Sequence, residues 1–303
     1  MSAANKIEKI FNVNGLVAVI TGGGSGLGLY AARALDANGA KAVYIIGRRE
    51  ETLKEAAKTA ENGNIKPLVG DVSDKQSLKK IVQQIEQEQG YINILFANAG
   101  VSGPGHAKAI AGKKTVKEWA DALFEPEMAD FTQAAHINNT SVFYTAVAFL
   151  ELLDAGNKQR NVPQDSQIIV TSSVAGFSRY LASSFSYSTS KAAVTHLVKM
   201  LSTAFSQQGF HIRVNSIQPG LYPSEMTAAH TDRLAQHGGV PGHEDAYAGA
   251  RVMDPKSSPA ERTGSEEDFA GTILYMCSRA GGYLNGETLV TDGGRLSQLP
   301  GVY

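Results

Sequence analysis

Short apolar runs alternate with amphipathic segments along the first 100 residues of the chain. The run over residues 16–21 is apolar and β-branched, which predicts a strand buried on both faces, and further strands are predicted over 43–46, 65–69 and 92–97. Between them apolar side chains recur three or four residues apart, as at Leu78, Ile81 and Ile85 behind the capping residue Asp74, which predicts helices with one buried face. Alternation of this kind implies right-handed crossovers and a parallel sheet.

The same alternation continues with longer elements in the second half of the chain. It predicts a helical region over 116–154, a surface loop over 156–166, strands over 167–171, 211–217 and 287–290, and helices over 185–207 and 266–277. Residues 221–262 are rich in Gly, Pro and His and have weak periodicity, which favours a mobile insertion that acts as a substrate lid. We therefore predict one α/β domain over residues 1–303, a Rossmann-type doubly wound parallel sheet of about seven strands with helices on both faces.

Composition and charge narrow the class of protein. The 303 residues are 43% hydrophobic, which is ample for a packed core, and a formal charge of -1 argues against nucleic acid or an anionic membrane as a partner. A single cysteine, Cys277, excludes an internal disulfide, and the spacings of His230, His237 and His243 match no metal site, so we expect no metal. No apolar run approaches the roughly 20 residues of a membrane span, and no secretory h-region opens the sequence. We expect a cytoplasmic globular protein.

A glycine-rich turn, Thr-Gly-Gly-Gly-Ser-Gly-Leu-Gly at residues 21–28, joins the first predicted strand to the first helix. Glycine accepts positive φ angles and lets a ligand approach without a Cβ in the way. The helix N-terminus behind the turn supplies free N–H groups and partial positive charge for an anion. Such a turn also occurs as an ordinary strand–helix connection, but its place after the first buried strand favours binding of a dinucleotide diphosphate.

Two chemically active side chains, Tyr187 and Lys191, share one face of the predicted helix over 185–207 because they are four residues apart. Taken alone, the pair is also compatible with a core tyrosine beside a lysine whose ammonium reaches water. An acid–base role needs the phenol pKa of about 10 to fall toward neutrality. A neighbouring ammonium and the positive charge of oxidised nicotinamide stabilise phenolate, and lowering the pKa by about three units requires roughly 4 kcal/mol.

Seven short motifs lie in a characteristic order along nearly the whole chain. They are the turn at 21–28, Asp71-Val72, Asn98-Ala99-Gly100, Asn138, the Ser172-Ser173 and Tyr187-x-x-x-Lys191 group, the segment 215–220 ending in Pro219-Gly220, and Asp292-Gly293-Gly294. In this order and spacing the sequence resembles the short-chain dehydrogenase/reductase family, in its compact single-domain branch, and within it 3-oxoacyl-acyl-carrier-protein-reductase-like members. The resemblance implies an NAD(P)-dependent enzyme acting on CH–OH groups, and usually a homotetramer or homodimer that uses the helices around 116–154 and 185–207.

The resemblance also implies the catalytic roles. Tyr187 would donate a proton to the carbonyl oxygen, Lys191 would hold the nicotinamide ribose hydroxyls and lower the tyrosine pKa, and Ser173 would orient the substrate oxygen. Asn138 would hold a water that links the lysine to solvent.

Two departures from the family pattern leave alternatives open. The family serine usually lies 13 residues before the tyrosine, whereas Ser173 lies 14 before it, so Ser172 stays a candidate. The residues after Asn138 also differ, since Asn139 and Ser141 stand where Leu and Gly are usual. The choice between Asn138 and Asn139 therefore stays open.

The end of the second strand bears on the cofactor. Gly47 occupies the position that is acidic in NAD enzymes of the family, and Arg48 follows it. A guanidinium can bind a 2′-phosphate through charge-assisted hydrogen bonds, so we predict NADP(H), with NAD(H) as the alternative. In the other interpretation, Arg48 and Arg49 are solvated residues that open a helix. The predicted cofactor-binding residues are Thr21, Gly22, Gly24, Ser25, Gly26, Leu27, Gly28, Arg48, Asp71, Val72, Asn98, Ala99, Gly100, Tyr187, Lys191, Pro219, Gly220, Tyr222 and Ser224.

Large apolar residues near the motifs bear on the substrate. The segment between the serine and tyrosine motifs contains Phe177, Tyr180, Leu181 and Phe185, and Tyr222 follows the Pro-Gly turn. If they line the pocket, the substrate is apolar or aromatic; alternatively, some pack against the core or a neighbouring subunit. The sequence thus predicts an NADPH-dependent reductase that converts a ketone to a secondary alcohol. An NAD(P)-dependent alcohol dehydrogenase and a catalytically silent nucleotide-binding scaffold are the alternatives.

Overall fold

The sheet at the centre of the molecule contains seven parallel strands in the order β3-β2-β1-β4-β5-β6-β7. The computed structural model describes residues 5–302, so the ends of the predicted domain, residues 1–4 and 303, lie outside the described part. The strands are β1 Val17–Thr21, β2 Ala42–Gly47, β3 Ile65–Val69, β4 Ile94–Ala97, β5 Gln167–Thr171, β6 Arg213–Pro219 and β7 Thr288–Thr291. The predicted Rossmann-type doubly wound sheet is confirmed.

Helices cover both faces of this sheet. They are α1 Ile7–Ile10, α2 Gly26–Ala37, α3 Glu50–Lys58, α4 Lys75–Gln89, α5 His106–Ile110, α6 Val116–Phe124, α7 Met128–Ala135, α8 Ser141–Ala148, α9 Leu150–Gln159, α10 Phe185–Gln207, α11 Ala228–Thr231 and α12 Glu266–Cys277. All five residues of β1 are buried, which agrees with the prediction of a strand covered on both sides. One core cluster contains side chains of α4, α8 and α10, and the other contains side chains of α2, α3 and α12.

The helical region predicted over 116–154 consists of four α-helices, α6 to α9, and the last of them extends beyond residue 154. A π-helical turn, His136–Thr140, separates α7 from α8. A π-helical turn contains more residues than an α-helical turn, and the hydrophobic pattern of the sequence did not reveal this change. The loop predicted over 156–166 begins later, because α9 continues to Gln159 and ends where Arg160 takes a φ of 52°. The last long strand begins at Arg213 rather than at residue 211. The pattern did not reveal α1 or α5.

The segment predicted as a lid, 221–262, has little regular structure. It contains α11 and isolated antiparallel bridges from Gln236 to Arg251 and from Val252 to Arg262. Its end is tied to the C-terminal part of the chain, since the amide of Ala260 donates to the carbonyl of Gly293 at 3.0 Å. The irregular composition therefore produces the expected loop-rich insertion, and its motion stays a prediction.

The order of the strands in the sheet determines where a ligand can bind. The chain runs outward from β1 through β2 to β3 and then returns to β4 on the other side of β1. A crevice forms at such a reversal, outside the carboxyl ends of the strands. The turns after β1, β4 and β5 meet there, and all three carry predicted motifs.

Candidate functional site

A cleft of about 600 Å³ opens at the carboxyl ends of β1, β4 and β5. This volume lies within the usual range for ligand sites. Seventeen of the predicted cofactor-binding residues line it, namely Gly22, Gly24, Ser25, Gly26, Leu27, Arg48, Asp71, Val72, Asn98, Ala99, Gly100, Tyr187, Lys191, Pro219, Gly220, Tyr222 and Ser224. The structure does not place Thr21 or Gly28 in the lining. The separate motifs thus converge on one crevice.

The glycine-rich turn has the geometry of an anion cradle. Gly22 and Gly26 have φ angles of 65° and 52°, a region that favours glycine. A Cβ on Gly28 would lie 2.3 Å from the carbonyl oxygen of Gly22, so Gly28 allows the tight turn without lining the cleft. The N-cap of α2, Ser25, makes no side-chain capping hydrogen bond, and no acidic residue occupies the first turn. The free N–H groups and helix dipole fit a bound phosphate group.

Thr21 and Asn98 support the floor of the cleft. The Thr21 hydroxyl oxygen accepts hydrogen bonds from the backbone amides of Asn98 and Ala99 at 3.0 and 3.1 Å. The Asn98 side-chain amide donates to the carbonyls of Thr21 and Gly22, and Thr171 donates to its oxygen at 2.9 Å. These bonds join the ends of β1, β4 and β5. Thr21 lies behind the lining because its hydroxyl is used to hold the strands in register.

Tyr187 and Ser173 meet at one end of the cleft. Tyr187 lies in the first turn of α10, and Ser173 follows β5 as the N-cap of the short 3₁₀ helix Val174–Gly176. The Ser173 oxygen accepts from the amide of Ala175 at 3.1 Å, and its hydroxyl hydrogen-bonds to the Tyr187 phenol. Burial raises the pKa of the Tyr187 phenol, and the hydrogen bond from Ser173 opposes that increase.

Lys191 lies one helical turn beyond Tyr187 and is buried. Its Nζ atom donates to the carbonyl of Thr171 at 2.8 Å and lies 5.6 Å from the centre of the Tyr187 ring. Burial lowers the pKa of the Lys191 ammonium from 10.5 to about 8. The expected lowering of the tyrosine pKa by this ammonium is not seen within the chain itself, because loss of solvation is the dominant effect on the phenol.

The structure distinguishes the two serine candidates. Ser172 is buried, its hydroxyl donates to the carbonyl of Lys191 at 2.9 Å, and it lies 2.7 Å from the Thr195 hydroxyl. Ser172 therefore fixes α10 against β5, whereas Ser173 reaches the phenol of Tyr187.

The structure also distinguishes the two asparagine candidates. Asn138 is buried in the π-helical turn, where its oxygen accepts from the amide of Val101 at 2.9 Å and its nitrogen donates to Val101 and to Ser190. A Cβ built on Gly100 would lie 3.0 Å from the Asn138 oxygen and 3.6 Å from Lys191 Nζ, so Asn138 lies just behind the cleft wall. The buried side-chain oxygen of Asn139 has no hydrogen-bond partner. These contacts favour Asn138, and its role as a water ligand stays a prediction.

Away from Tyr187, the cleft lining contains the carboxylate of Asp71 and the guanidinium of Arg48. Asp71 accepts from the hydroxyl and amide of Ser73, and the hydroxyl bond is the largest cause that holds the pKa of its carboxyl below the usual range. The charges of Arg48 and His136 act in the same direction. Arg49 instead pairs with Glu225 at 2.6 Å across the mouth of the cleft. Arg48 is therefore the guanidinium available to a ligand at this end.

Of the large residues considered for an apolar substrate pocket, Phe177, Tyr180, Leu181 and Phe185 do not line the cleft, so these four do not meet the condition for that pocket. Tyr180 is 54% exposed, and Phe185 packs against the ring of His106 at 5.6 Å between centroids. The carbonyl of Phe177 accepts from the amide of Val302, which ties this segment to the C-terminal part of the chain. Phe177 and Phe185 thus make these contacts outside the crevice, and Tyr180 is largely exposed.

Motif reasoning missed several residues of the cleft lining, among them Val101, Ser102, Gln133, Ile137 and Met226. Positions just after the Asn-Ala-Gly motif and inside the lid were the available signals. Tyr222 also lines the cleft, but it is 4% exposed and packs edge-on against Phe269, so most of its ring belongs to the core.

Residues 5–302 contain no group of three or more His, Cys, Asp or Glu side chains placed to hold a metal ion. Within the same residues, no helix has both the length and the apolar character of a membrane span.

A serine, a tyrosine and a lysine beside a Rossmann crevice define an oxidoreductase that uses a nicotinamide dinucleotide. The chain belongs to the short-chain dehydrogenase family, whose model, described as short chain dehydrogenase, matches residues 16–235. It is 46% identical over 295 residues, 97% of this chain and 96% of the other, to short-chain dehydrogenase/reductase PhomF of Diaporthe leptostromiformis.

More distant relatives carry names that mention an acyl substrate and NADP. The chain is 28% identical over 285 residues, 94% of this chain and 97% of the other, to the rhamnolipids biosynthesis 3-oxoacyl-[acyl-carrier-protein] reductase of Pseudomonas aeruginosa. A solved Pseudomonas aeruginosa RhlG/NADP active-site complex is similar in structure with a TM-score of 0.74 and 28% identity, covering 94% of this chain and 98% of that one. The family and the enzyme class therefore rest on the whole length of the chain.

Proposed function

We propose that the protein is an NADPH-dependent carbonyl reductase that converts a ketone to a secondary alcohol. The observation that carries the proposal is the gathering of the Ser173 hydroxyl, the Tyr187 phenol and the Lys191 ammonium at one end of the cleft. The glycine cradle with its uncapped helix N-terminus fits a diphosphate, which orients a dinucleotide along the crevice toward these groups. Bound NADPH supplies the hydride that reduces the carbonyl carbon.

The three side chains complete the reduction. Ser173 donates a hydrogen bond to the carbonyl oxygen and stabilises the charge that develops on it. Tyr187 gives its proton to the same oxygen as the general acid, and the hydrogen bond from Ser173 opposes the increase in its pKa that burial causes. Lys191 uses one N–H on the Thr171 carbonyl, which leaves two for the ribose hydroxyls of the cofactor.

Preference for NADP(H) rests on Arg48. Its guanidinium lines the cleft beside Asp71, and no acidic side chain stands at the end of β2, where Gly47 is found. A 2′-phosphate on the adenosine ribose would meet this guanidinium, whereas NAD(H) offers it no anion. NAD(H) is the alternative cofactor.

The side chains that line the cleft also indicate the kind of substrate. Val101, Ile137 and Met226 contribute apolar side chains to the cleft lining, and Ser102 and Gln133 contribute polar groups. An apolar or aromatic ketone with one further polar group fits this lining. The name of the Pseudomonas relative, a 3-oxoacyl-carrier reductase, is compatible with such a compound.

Exposed apolar side chains support assembly into a homotetramer or homodimer. Val116, Phe124 and Met128 are 88%, 92% and 85% exposed along α6 and α7, and Met200 is 57% exposed on α10. Large apolar side chains exposed in this number on neighbouring helices are typical of an interface. Analytical ultracentrifugation of the full chain tests the assembly, and a monomer at micromolar concentration would contradict it.

Loss of NADPH absorbance with a panel of carbonyls tests the function. We expect turnover with ethyl acetoacetate, cyclic ketones or quinones, and weaker turnover with NADH. Oxidation of secondary alcohols by NADP⁺ with no reduction of any carbonyl would support the alcohol dehydrogenase alternative. Binding of NADPH with no turnover in either direction would favour the silent scaffold and contradict the proposal.

A further inference from the structure

A buried histidine that belongs to no motif lies against the start of the catalytic helix. His106 is 4% exposed at the beginning of α5, on the segment that follows the Asn-Ala-Gly motif. Its ring lies between two phenylalanines, with centroid distances of 5.8 Å to Phe131 and 5.6 Å to Phe185. A polar ring in such surroundings needs hydrogen-bond partners, and those it has identify its role.

Both recorded partners of His106 lie at the N-terminus of α10. The amide of Phe185 donates to His106 Nδ1 at 3.2 Å, and the Ser184 hydroxyl lies 3.1 Å from the same atom. Because an amide can only donate, Nδ1 is an acceptor, which requires a ring proton on Nε2 when the ring is neutral. Nδ1 has one lone pair, so the Ser184 hydroxyl and the Phe185 N–H share it in a three-centre hydrogen bond.

Ser184 connects the histidine to the catalytic tyrosine. It is the N-cap of α10, and its oxygen accepts from the backbone amide of Tyr187 at 3.5 Å and lies 2.7 Å from the Ser186 hydroxyl. A hydroxyl has one proton, so donating it to His106 leaves the oxygen lone pairs of Ser184 for the helix N–H and Ser186. The His106 imidazole thus fixes the orientation of the Ser184 hydroxyl, which caps the first turn of α10.

A backbone contact reinforces the same junction. The amide of Ala107 donates to the carbonyl of Ser183 at 2.9 Å. A Cβ on Gly103, which has a φ of 69°, would lie 2.4 Å from the Ser186 hydroxyl, so the segment 101–107 packs closely on the start of α10. This segment begins at Gly100 and Val101 in the cleft wall. The junction therefore joins the wall of the cofactor cleft to the helix that carries Tyr187.

We propose that His106 is a positioning residue, which sets Tyr187 relative to the cleft by accepting hydrogen bonds at Nδ1 from Phe185 and the Ser184 cap. The inference rests on the proposed function of Tyr187. Displacement of a reacting group by about 1 Å can lower a rate on the order of 100-fold, so a misplaced cap affects chemistry more than cofactor binding.

Two substitutions separate hydrogen bonding from packing. His106→Leu fills the space between the two phenylalanines without an acceptor, and His106→Asn restores an acceptor near the position of Nδ1. With a carbonyl that the wild type reduces, we expect kcat to fall at least 10-fold in His106→Leu and to stay within about 3-fold of wild type in His106→Asn. The dissociation constant for NADPH stays within 2-fold in both, as roughly expected for a residue outside the cleft.

Asp74→Ala is the matched control, because it removes the side chain that caps α4 and leaves α10 intact. It should lower the melting temperature without lowering kcat. A merely structural role for His106 would instead appear as a lower melting temperature with an unchanged kcat, or as equal losses in the Leu and Asn variants. Either result would overturn the inference.

Amide hydrogen exchange gives a readout that does not depend on turnover. We expect exchange in the first turn of α10 to accelerate in His106→Leu and to stay as in wild type in His106→Asn, with α4 unchanged in both. If the wild type reduces no carbonyl, the proposed function fails while this exchange pattern still decides whether His106 holds the helix. Unchanged exchange in the Leu variant would contradict the positioning role independently.

Discussion

Replacing Lys191 by methionine should stabilise the chain while removing its activity. The ammonium is buried beside Tyr187, and burial lowers its pKa from 10.5 to about 8. One pKa unit corresponds to about 1.4 kcal/mol, so the charged side chain costs the folded state about 3 kcal/mol below pH 8. Loss of its hydrogen bond to the Thr171 carbonyl costs about 1–2 kcal/mol. The expected net gain in unfolding free energy is about 1–2 kcal/mol.

The pH dependence of the unfolding free energy provides a second and more specific test. Between pH 8 and 10.5 the unfolded chain keeps a proton on Lys191 that the folded chain has lost, so stability of the wild type increases with pH across this window. Above 10.5 the lysine is neutral in both states, and the desolvation cost disappears. The methionine variant therefore loses its advantage as pH rises from 8 to 10.5.

Urea unfolding without cofactor at pH 7 and at intervals up to pH 10.5 measures both effects. Lys199→Met is the control, since Lys199 is exposed on the same helix and its replacement should change stability by less than about 0.5 kcal/mol. A Lys191→Met chain that is less stable than wild type at pH 7, or a difference that does not vary with pH, would refute the assignment of Lys191 as a desolvated ammonium.

Three further substitutions test the cleft. Arg48→Ala should raise the KM for NADPH at least 10-fold and change the KM for NADH by less than 2-fold, roughly as expected when a contact with the 2′-phosphate is lost. Equal increases in the two KM values would show that Arg48 does not bind this phosphate. Gly28→Ala should abolish cofactor binding in a titration of NADPH fluorescence, because its Cβ would lie 2.3 Å from the Gly22 carbonyl; retention of affinity would contradict the cradle. Thr21→Val should lower the unfolding free energy by about 2 kcal/mol in urea, because two partly buried backbone N–H groups lose their acceptor; a neutral result would show that Thr21 does not hold the strands.

Patterns that repeat locally predicted the fold well. The central strands β1 and β2 are runs of apolar residues buried on both sides, so their positions follow from the sequence within about two residues. The break at His136–Thr140 could not be read in this way, because a π-helical turn arises from tertiary contacts such as those of Asn138 with Val101 and Ser190.

The candidate site was predictable only where a motif recurs in other proteins. Tyr187, Lys191 and the glycine-rich turn occupy the cleft as the motifs indicate. The positions of the other side chains depend on tertiary packing. Phe185, which was considered for the substrate pocket, packs on His106, and no motif identified His106. Position along the chain does not reveal which face of a loop meets the crevice.

Tyr187→Phe tests the central claim most directly, because it removes one hydroxyl and leaves the ring in place. NADPH affinity and the rate of carbonyl reduction should be measured on the same preparation. The account predicts a dissociation constant within about 2-fold of wild type and a kcat reduced by roughly 100-fold or more, as expected on loss of a general acid. Reduction at an unchanged rate would show that the proton comes from another group and would contradict the proposed mechanism.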